Sequence, residues 1–192
     1  MVSARVFYLT FLLLLSLERF GELALSRRNA RRAFARGAVE VGQRHYRVMA
    51  LFHTLFLLVC AAEAILQPRP FWGALGWAAF GGALAAQALR YWAITTLGDR
   101  WNVRVIVLPG AAPVTAGPYR WVRHPNYVAV ATEMLCVPLI YGGTAGWLTA
   151  IGFSLGNALL LIVRIRAEEA ALGPSYAQAF AATPRFLPGG QS

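Results

Sequence analysis

The sequence predicts an all-α integral membrane protein with five transmembrane helices. Of its 192 residues, 58% are hydrophobic and only 14% are charged, against about 25% charged in soluble globular domains. Apolar stretches recur at close to the roughly 20 residues that a bilayer crossing takes. Between those stretches sit the basic residues, as they do in cytoplasmic loops of membrane proteins. This composition argues against a soluble enzyme and against a disordered chain.

All 18 basic residues are arginine, and the formal net charge is +10. A charge of that size would suit nucleic acid if it formed one patch. Here it is dispersed between apolar segments, so the expected partner is the lipid bilayer and no nucleic acid.

Residues 1–192 read as a single membrane domain. The first segment, about 6–25, is apolar but carries Glu18, Arg19 and Glu22 in its second half. No small-residue cleavage site follows it, which favours a span over a signal peptide. The second, about 48–66, contains His53, Cys60 and Glu63. The third, about 71–95, is rich in Gly and Ala, including Gly76, Gly81 and Gly82, which permit close helix approach. The fourth, about 127–141, and the fifth, about 144–163, are divided by Gly142, Gly143 and Gly146, the composition of a helix-breaking turn. They form a predicted helical hairpin. Cys60 and Cys136 both lie in apolar runs and read as small hydrophobes; no metal-ligand spacing is present.

Arginine counts orient the spans. Seven arginines lie in the 26–47 loop, four in the 96–126 loop and three in the tail 164–192. The alternate side holds only Arg5 and Arg69. The positive-inside rule then puts both loops and the C-terminus in the cytoplasm and the N-terminus outside. An odd number of spans agrees with this arrangement. The 96–126 loop carries apolar anchors and the turn pairs Pro109-Gly110 and Gly117-Pro118. A loop of that length with Trp, Tyr and Arg reads as part of a site.

A charge inside a bilayer costs roughly 2.5–3.5 kcal/mol on insertion scales, so each one calls for a partner. Glu18, Arg19 and Glu22 can meet on one helix face. His53, Glu63 and Glu133 are lone polar groups, each expected to be satisfied by a neighbouring helix.

Two motifs stand out. Residues 117–127 read GPYRWVRHPNY. Pro125 suits the first turn of a helix, which sets Arg123 and His124 at its mouth. Helix N-termini attract anionic groups, and the Arg123 guanidinium adds a fork for a carboxylate or phosphate. An ordinary interfacial belt of Arg, Trp and Tyr has the same composition; spacing alone does not separate the two. The second motif is Arg164-Ile165-Arg166-Ala167-Glu168-Glu169. Adjacent carboxylates at a helix C-terminus oppose the macrodipole and call for a cationic partner. Arg164 or Arg166 could supply it, or a bound cation. Tyr176 and the segment Pro184-Arg185-Phe186-Leu187-Pro188 follow and could cover a site.

Together the two motifs resemble the isoprenylcysteine carboxyl methyltransferase family of membrane methyltransferases. The resemblance runs over most of the chain. The stretches Arg19-Phe20-Gly21-Glu22-Leu23 and Leu97-Gly98-Asp99-Arg100-Trp101-Asn102-Val103-Arg104 are similar to a bacterial subgroup acting on long-chain alkylpyrones or alkylresorcinols, often beside a type III polyketide synthase. The resemblance implies S-adenosyl-L-methionine as methyl donor. It makes His124, Pro125, Tyr127, Glu168 and Glu169 the cofactor-binding residues, and Arg123 and His124 the candidate catalytic ones. Trp101, Arg104 and Arg185 are candidate acceptor-binding residues. Eukaryotic members carry a basic residue two positions before the proline that corresponds to Pro184; here Ala182 stands there and Arg185 follows the proline.

The expected activity is methyl transfer to an oxygen of a lipophilic acceptor at the cytoplasmic face of a bacterial inner membrane. Candidate acceptors are a carboxylate, or the enol or phenol of an alkylpyrone or alkylresorcinol. Phospholipid N-methylation and prenylcysteine carboxyl methylation are the enzymatic alternatives. A small transporter would instead cluster its polar residues at the bilayer midplane.

Overall fold

The computed structural model describes residues 3–67 and 73–186. The chain folds as five long helices: α1 Ala4–Ala35, α2 Gln43–Leu66, α3 Gly73–Leu97, α4 Pro125–Tyr141 and α5 Gly143–Ala179. Phe71 and Trp72, the expected start of the third segment, lie outside the described residues, as do Leu187 and Pro188.

Two of the helices, α2 and α5, are long and apolar enough to cross a membrane by length and composition. The five-span reading is therefore not confirmed. The other three fall short for visible reasons. Glu18, Arg19 and Glu22 interrupt the apolar part of α1. Gln87 and Arg90 interrupt the apolar run of α3. α4 has only 17 residues, about 25 Å at 1.5 Å per residue. All five nonetheless turn large apolar side chains outward. Leu13, Leu51, Trp77 and Leu148 are each more than half exposed, a surface suited to lipid.

α4 packs chiefly between α3 and α5. Its side chains Val137, Ile140 and Tyr141 are buried in the main apolar core with Tyr8 of α1 and Cys60 of α2. A Cβ on Gly82 would lie 2.8 Å from Cys136 Sγ, so the α3–α4 approach depends on glycine there. The α4–α5 hairpin turns at Gly142 and Gly143, with φ of 72° and 73°, a left-handed conformation that glycine adopts without steric cost.

Three expectations are corrected. The 26–47 stretch is not a loop. α1 continues ten residues past the expected end, because Arg and Ala favour helix and Ser26, Asn29 and Ala30 bury on one face. The 96–126 loop packs against that face. Asn29 Nδ2 donates to the carbonyls of Gly98 (3.1 Å) and Trp101 (2.9 Å), and the Val103 N–H donates to Ser26 Oγ at 3.2 Å. Nor is the fold purely helical. β1 Val39–Val41 pairs antiparallel with β2 Val105–Val107, with Glu40 opposite Ile106. Three-residue strands leave no readable alternation. The fifth helix also runs past its expected end at 163: α5 extends to Ala179 and breaks at Gly173 (φ 74°, ψ −167°), ahead of Pro174.

Candidate functional site

The N-terminus of α4 and the last turn of α5 before its break meet beneath the C-terminal segment. Pro125 takes the first helical position of α4, and His124 is the N-cap residue. The chain just before them is fixed from outside. The Arg123 N–H donates to the Pro184 carbonyl at 2.9 Å, and the His124 N–H to that of Arg185 at 3.2 Å. These two bonds strap residues 184–185 across the mouth of the helix.

Side chains repeat the strap. Glu169 accepts two hydrogen bonds from Arg185, 3.1 Å from Nε and 2.7 Å from Nη2. His124 Nε2 lies 3.0 Å from Glu169 Oε1, and Arg123 Nη1 is 3.9 Å from the same oxygen. Arg123 Nε donates to the Thr183 carbonyl at 2.5 Å. One carboxylate thus gathers three basic side chains. Its hydrogen bonds hold the Arg185 guanidinium above its ordinary pKa.

Glu168 has a different surrounding. It accepts a hydrogen bond from the Tyr127 hydroxyl. That same hydroxyl accepts from Arg164 Nε at 2.8 Å, and Arg164 Nη2 reaches the Val103 carbonyl at 2.7 Å. The guanidinium also lies 5.8 Å from the centre of the Tyr127 ring. The buried His124 and Tyr127 rings stack at 5.2 Å. Helix spacing alone places 124 and 127 on one face, since positions three apart are neighbours.

A cavity of about 760 Å³ opens beside this cluster. Arg123, His124, Tyr127, Arg164 and Glu168 line its polar end, and it runs inward along α4 past Val130, Glu133 and Met134. Asn126 also lines it, and Asn126 Oδ1 is buried without a hydrogen-bond partner among the described residues. Tyr119, Tyr176 and Phe180 add aromatic surface. Burial pushes the Tyr119 phenol above its ordinary pKa, and nearby Glu168 adds to the shift.

The structure therefore brings Arg123, His124, Pro125, Tyr127, Glu168, Glu169 and Arg185 together. Within that group the two glutamates divide. Glu168 is on the cavity wall, whereas Glu169 sits in the strap and is outside the cavity lining. Glu169 takes its cationic partner from Arg185, and Arg164 serves Tyr127; Arg166 is exposed. Trp101 is buried on the cavity wall. Arg104 lines it too, held by Glu40 at 2.8 Å.

Several polar residues escaped the sequence reading. Arg90 of α3 is buried and pairs bidentately with Glu133, through Nε at 3.2 Å and through Nη2. Gln87 bonds Glu18 and receives Arg19 Nη2 at 3.1 Å. The signal was available: an arginine inside an apolar helix needs a carboxylate nearby. Arg19 meets Glu18 at 3.2 Å and Glu22 at 3.0 Å, as expected for one helix face. Glu63 finds the hydroxyl of Thr149 in α5. His53 Nε2 has no hydrogen-bond partner among the described residues. Cys60 is buried and Cys136 half-buried, and neither is in a disulfide.

Comparison with known proteins gives the family. Residues 77–174 match the model of the isoprenylcysteine carboxyl methyltransferase (ICMT) family, a stretch holding both helix-end motifs. YpbQ of Bacillus subtilis strain 168, itself described as uncharacterized, is 43% identical over 162 residues, covering 83% of this chain and 92% of its own length. An uncharacterized protein of Haemophilus influenzae (strain ATCC 51907 / DSM 11121 / KW20 / Rd) is 27% identical over 165 residues, covering 85% and 93%. With its motifs meeting at one cavity and the family match spanning them, the chain belongs to the isoprenylcysteine carboxyl methyltransferase family of membrane methyltransferases.

Proposed function

We propose that the protein transfers a methyl group from S-adenosyl-L-methionine to an oxygen of a lipophilic acceptor, at the cytoplasmic face of a bacterial inner membrane. The observation that carries the proposal is the continuous cavity. It starts among Arg123, Glu168 and Asn126 and runs inward along α4 past the apolar Val130 and Met134 to the charged Glu133, Arg90 and Glu22.

The polar end suits the cofactor's chemistry. Glu168 offers a carboxylate to an ammonium group, because its hydrogen bond from Tyr127, the one it makes among the described residues, leaves acceptor capacity free. Asn126 Oδ1 offers a buried, unpartnered acceptor. Tyr119, Tyr176 and Phe180 offer faces for a flat base. When bound, the sulfonium supplies an activated methyl group for in-line displacement.

What the chain supplies is position and exclusion of water. The strap of residues 183–185 covers the α4 mouth. Arg123, held at its Nε by the Thr183 carbonyl and with Nη1 3.9 Å from Glu169 Oε1, offers Nη2 to an anionic oxygen. His124 is oriented by Glu169 and stacked on Tyr127. An acceptor entering from the bilayer lays its apolar part against Val130, Met134 and Val137 of the cavity wall.

Carboxyl methylation of a prenylcysteine is the second reading, and the family match favours it. Association with a type III polyketide synthase belongs with the alkylpyrone and alkylresorcinol acceptors. The direct test is to incubate membranes containing the protein with isotopically labelled S-adenosyl-L-methionine and to identify the labelled lipid by mass spectrometry. Label in a lipid ether or ester supports oxygen methylation. Label on an amine headgroup, or no protein-dependent label, contradicts it.

A further inference from the structure

The inner end of the cavity carries a second polar cluster that methyl transfer at the α4 mouth does not use. Glu133 lies six residues beyond Tyr127 on α4, about 9 Å along the helix axis at 1.5 Å per residue. Around it are Arg90 of α3 and Arg19 and Glu22 of α1, all lining the cavity, with Glu18 behind them. Three carboxylates share two guanidiniums.

The cations are already committed. Arg90 spends Nε and Nη2 on Glu133. Arg19 is divided between Glu18, Glu22 and Gln87. Acceptor capacity is left over. Glu22 is 8% exposed, and its Oε1 makes no hydrogen bond among the described residues, with Arg90 Nε 3.9 Å away. A buried acceptor left open is unfavourable, more so when it is charged. A ligand that donates a proton-bearing group there recovers that cost.

We propose that Glu22 forms a recognition subsite for a neutral hydroxyl on the lipophilic acceptor. The subsite selects acceptors that present an un-ionised O–H. It disfavours lipophilic carboxylates, which bring a negative charge to a cluster already one carboxylate in excess. Arg90 and Glu133 are positioning residues that hold the Glu22 wall. The inference rests on the proposed function only in treating the cavity ligand as a methyl acceptor. Binding can be measured with no cofactor present.

The test uses the full chain in detergent and three probes of equal chain length: a long-chain alkylphenol, its methyl ether and a long-chain carboxylate. Dissociation constants are measured for the unaltered protein and for Glu22→Gln. The expected result is that the phenol binds the unaltered protein about ten-fold more tightly than the ether, and the carboxylate most weakly. In Glu22→Gln the phenol preference shrinks and carboxylate binding improves. A merely structural role for Glu22 would weaken all three probes together. Equal affinity for phenol and ether in the unaltered protein overturns the inference even if the variant fails to fold. So does an unchanged ranking in a folded Glu22→Gln. Cofactor binding, measured separately with S-adenosylhomocysteine, tests the methyltransferase reading and leaves this ranking untouched.

Discussion

Arg185 grips Glu169 in a fork, Nε to Oε1 at 3.1 Å and Nη2 to Oε2 at 2.7 Å. The pair joins residues sixteen apart across the break at Gly173, and it duplicates the backbone bonds at 123–124. Arg185 is itself half exposed, at 54%. Exposed ion pairs contribute about 0.2–1 kcal/mol, so Arg185→Ala is expected to lower the melting temperature only slightly. Its larger effect falls on ligand retention, because the strap over the α4 mouth loosens. The S-adenosylhomocysteine-induced thermal shift should shrink well beyond the change in the ligand-free melting temperature. Arg185→Lys, which cannot form the planar fork, should give an intermediate value. Equal shifts in all three proteins would contradict the role.

The adjacent glutamates should part company under the same substitution. Glu168→Gln removes a charge from the cavity wall while keeping an acceptor for the Tyr127 hydroxyl. Cofactor affinity should fall about ten-fold, the value of one charge-assisted hydrogen bond, with little change in folding. Glu169→Gln removes the charge that gathers Arg123, His124 and Arg185. Limited proteolysis should then cut the tail beyond Gly173 faster than in the unaltered protein. Identical proteolysis in the two variants would show that Glu169 does not hold the strap.

Tyr127 connects the two halves of the site, because its hydroxyl donates to Glu168 and accepts from Arg164. Tyr127→Phe keeps the stacking on His124 but leaves two charged groups without that partner. The expected loss is about 1–3 kcal/mol of stability, read by thermal melting in detergent. Part of it should return on binding S-adenosylhomocysteine, whose amino group can satisfy Glu168. A variant as stable as the original would mean that Arg164 and Glu168 pair directly once the hydroxyl is gone.

The helix-end chemistry was legible in the sequence because it is local. Pro125 marks the start of α4, glycines mark the hairpin, and adjacent glutamates with no charge between them advertise a need for cations. Helix ends were less so. The Arg-rich continuation of α1 has the composition of a loop by the positive-inside rule, yet its register buries Ser26, Asn29 and Ala30 against the 98–103 turn. Long-range pairings were the least legible. Nothing near Val39–Val41 announces Val105–Val107, and no local spacing tells Glu169 to choose Arg185 over Arg164. The arginine buried inside α3 is the instructive omission. Loop counting passed over Arg90, because that rule reads charges for orientation and ignores what a charge inside an apolar helix must touch.

Arg90 therefore supplies the sharpest stability prediction. It is 4% exposed and its fork is filled by Glu133, with Glu22 3.9 Å away. Removing one member of a buried ion pair leaves an uncompensated charge and costs about 3–5 kcal/mol, whereas replacing both with apolar groups is often near neutral. Arg90→Met alone should lower the melting temperature sharply or abolish folding in detergent. Combining it with Glu133→Leu should restore much of the loss, though not all, because Glu22 also loses a neighbouring cation. A third change, Glu22→Gln, should return most of the remainder, since two carboxylates and one guanidinium are then reduced to one of each at Glu18 and Arg19. Strictly additive losses across the series would mean that the three side chains act independently and that the cluster is not an electrostatic unit.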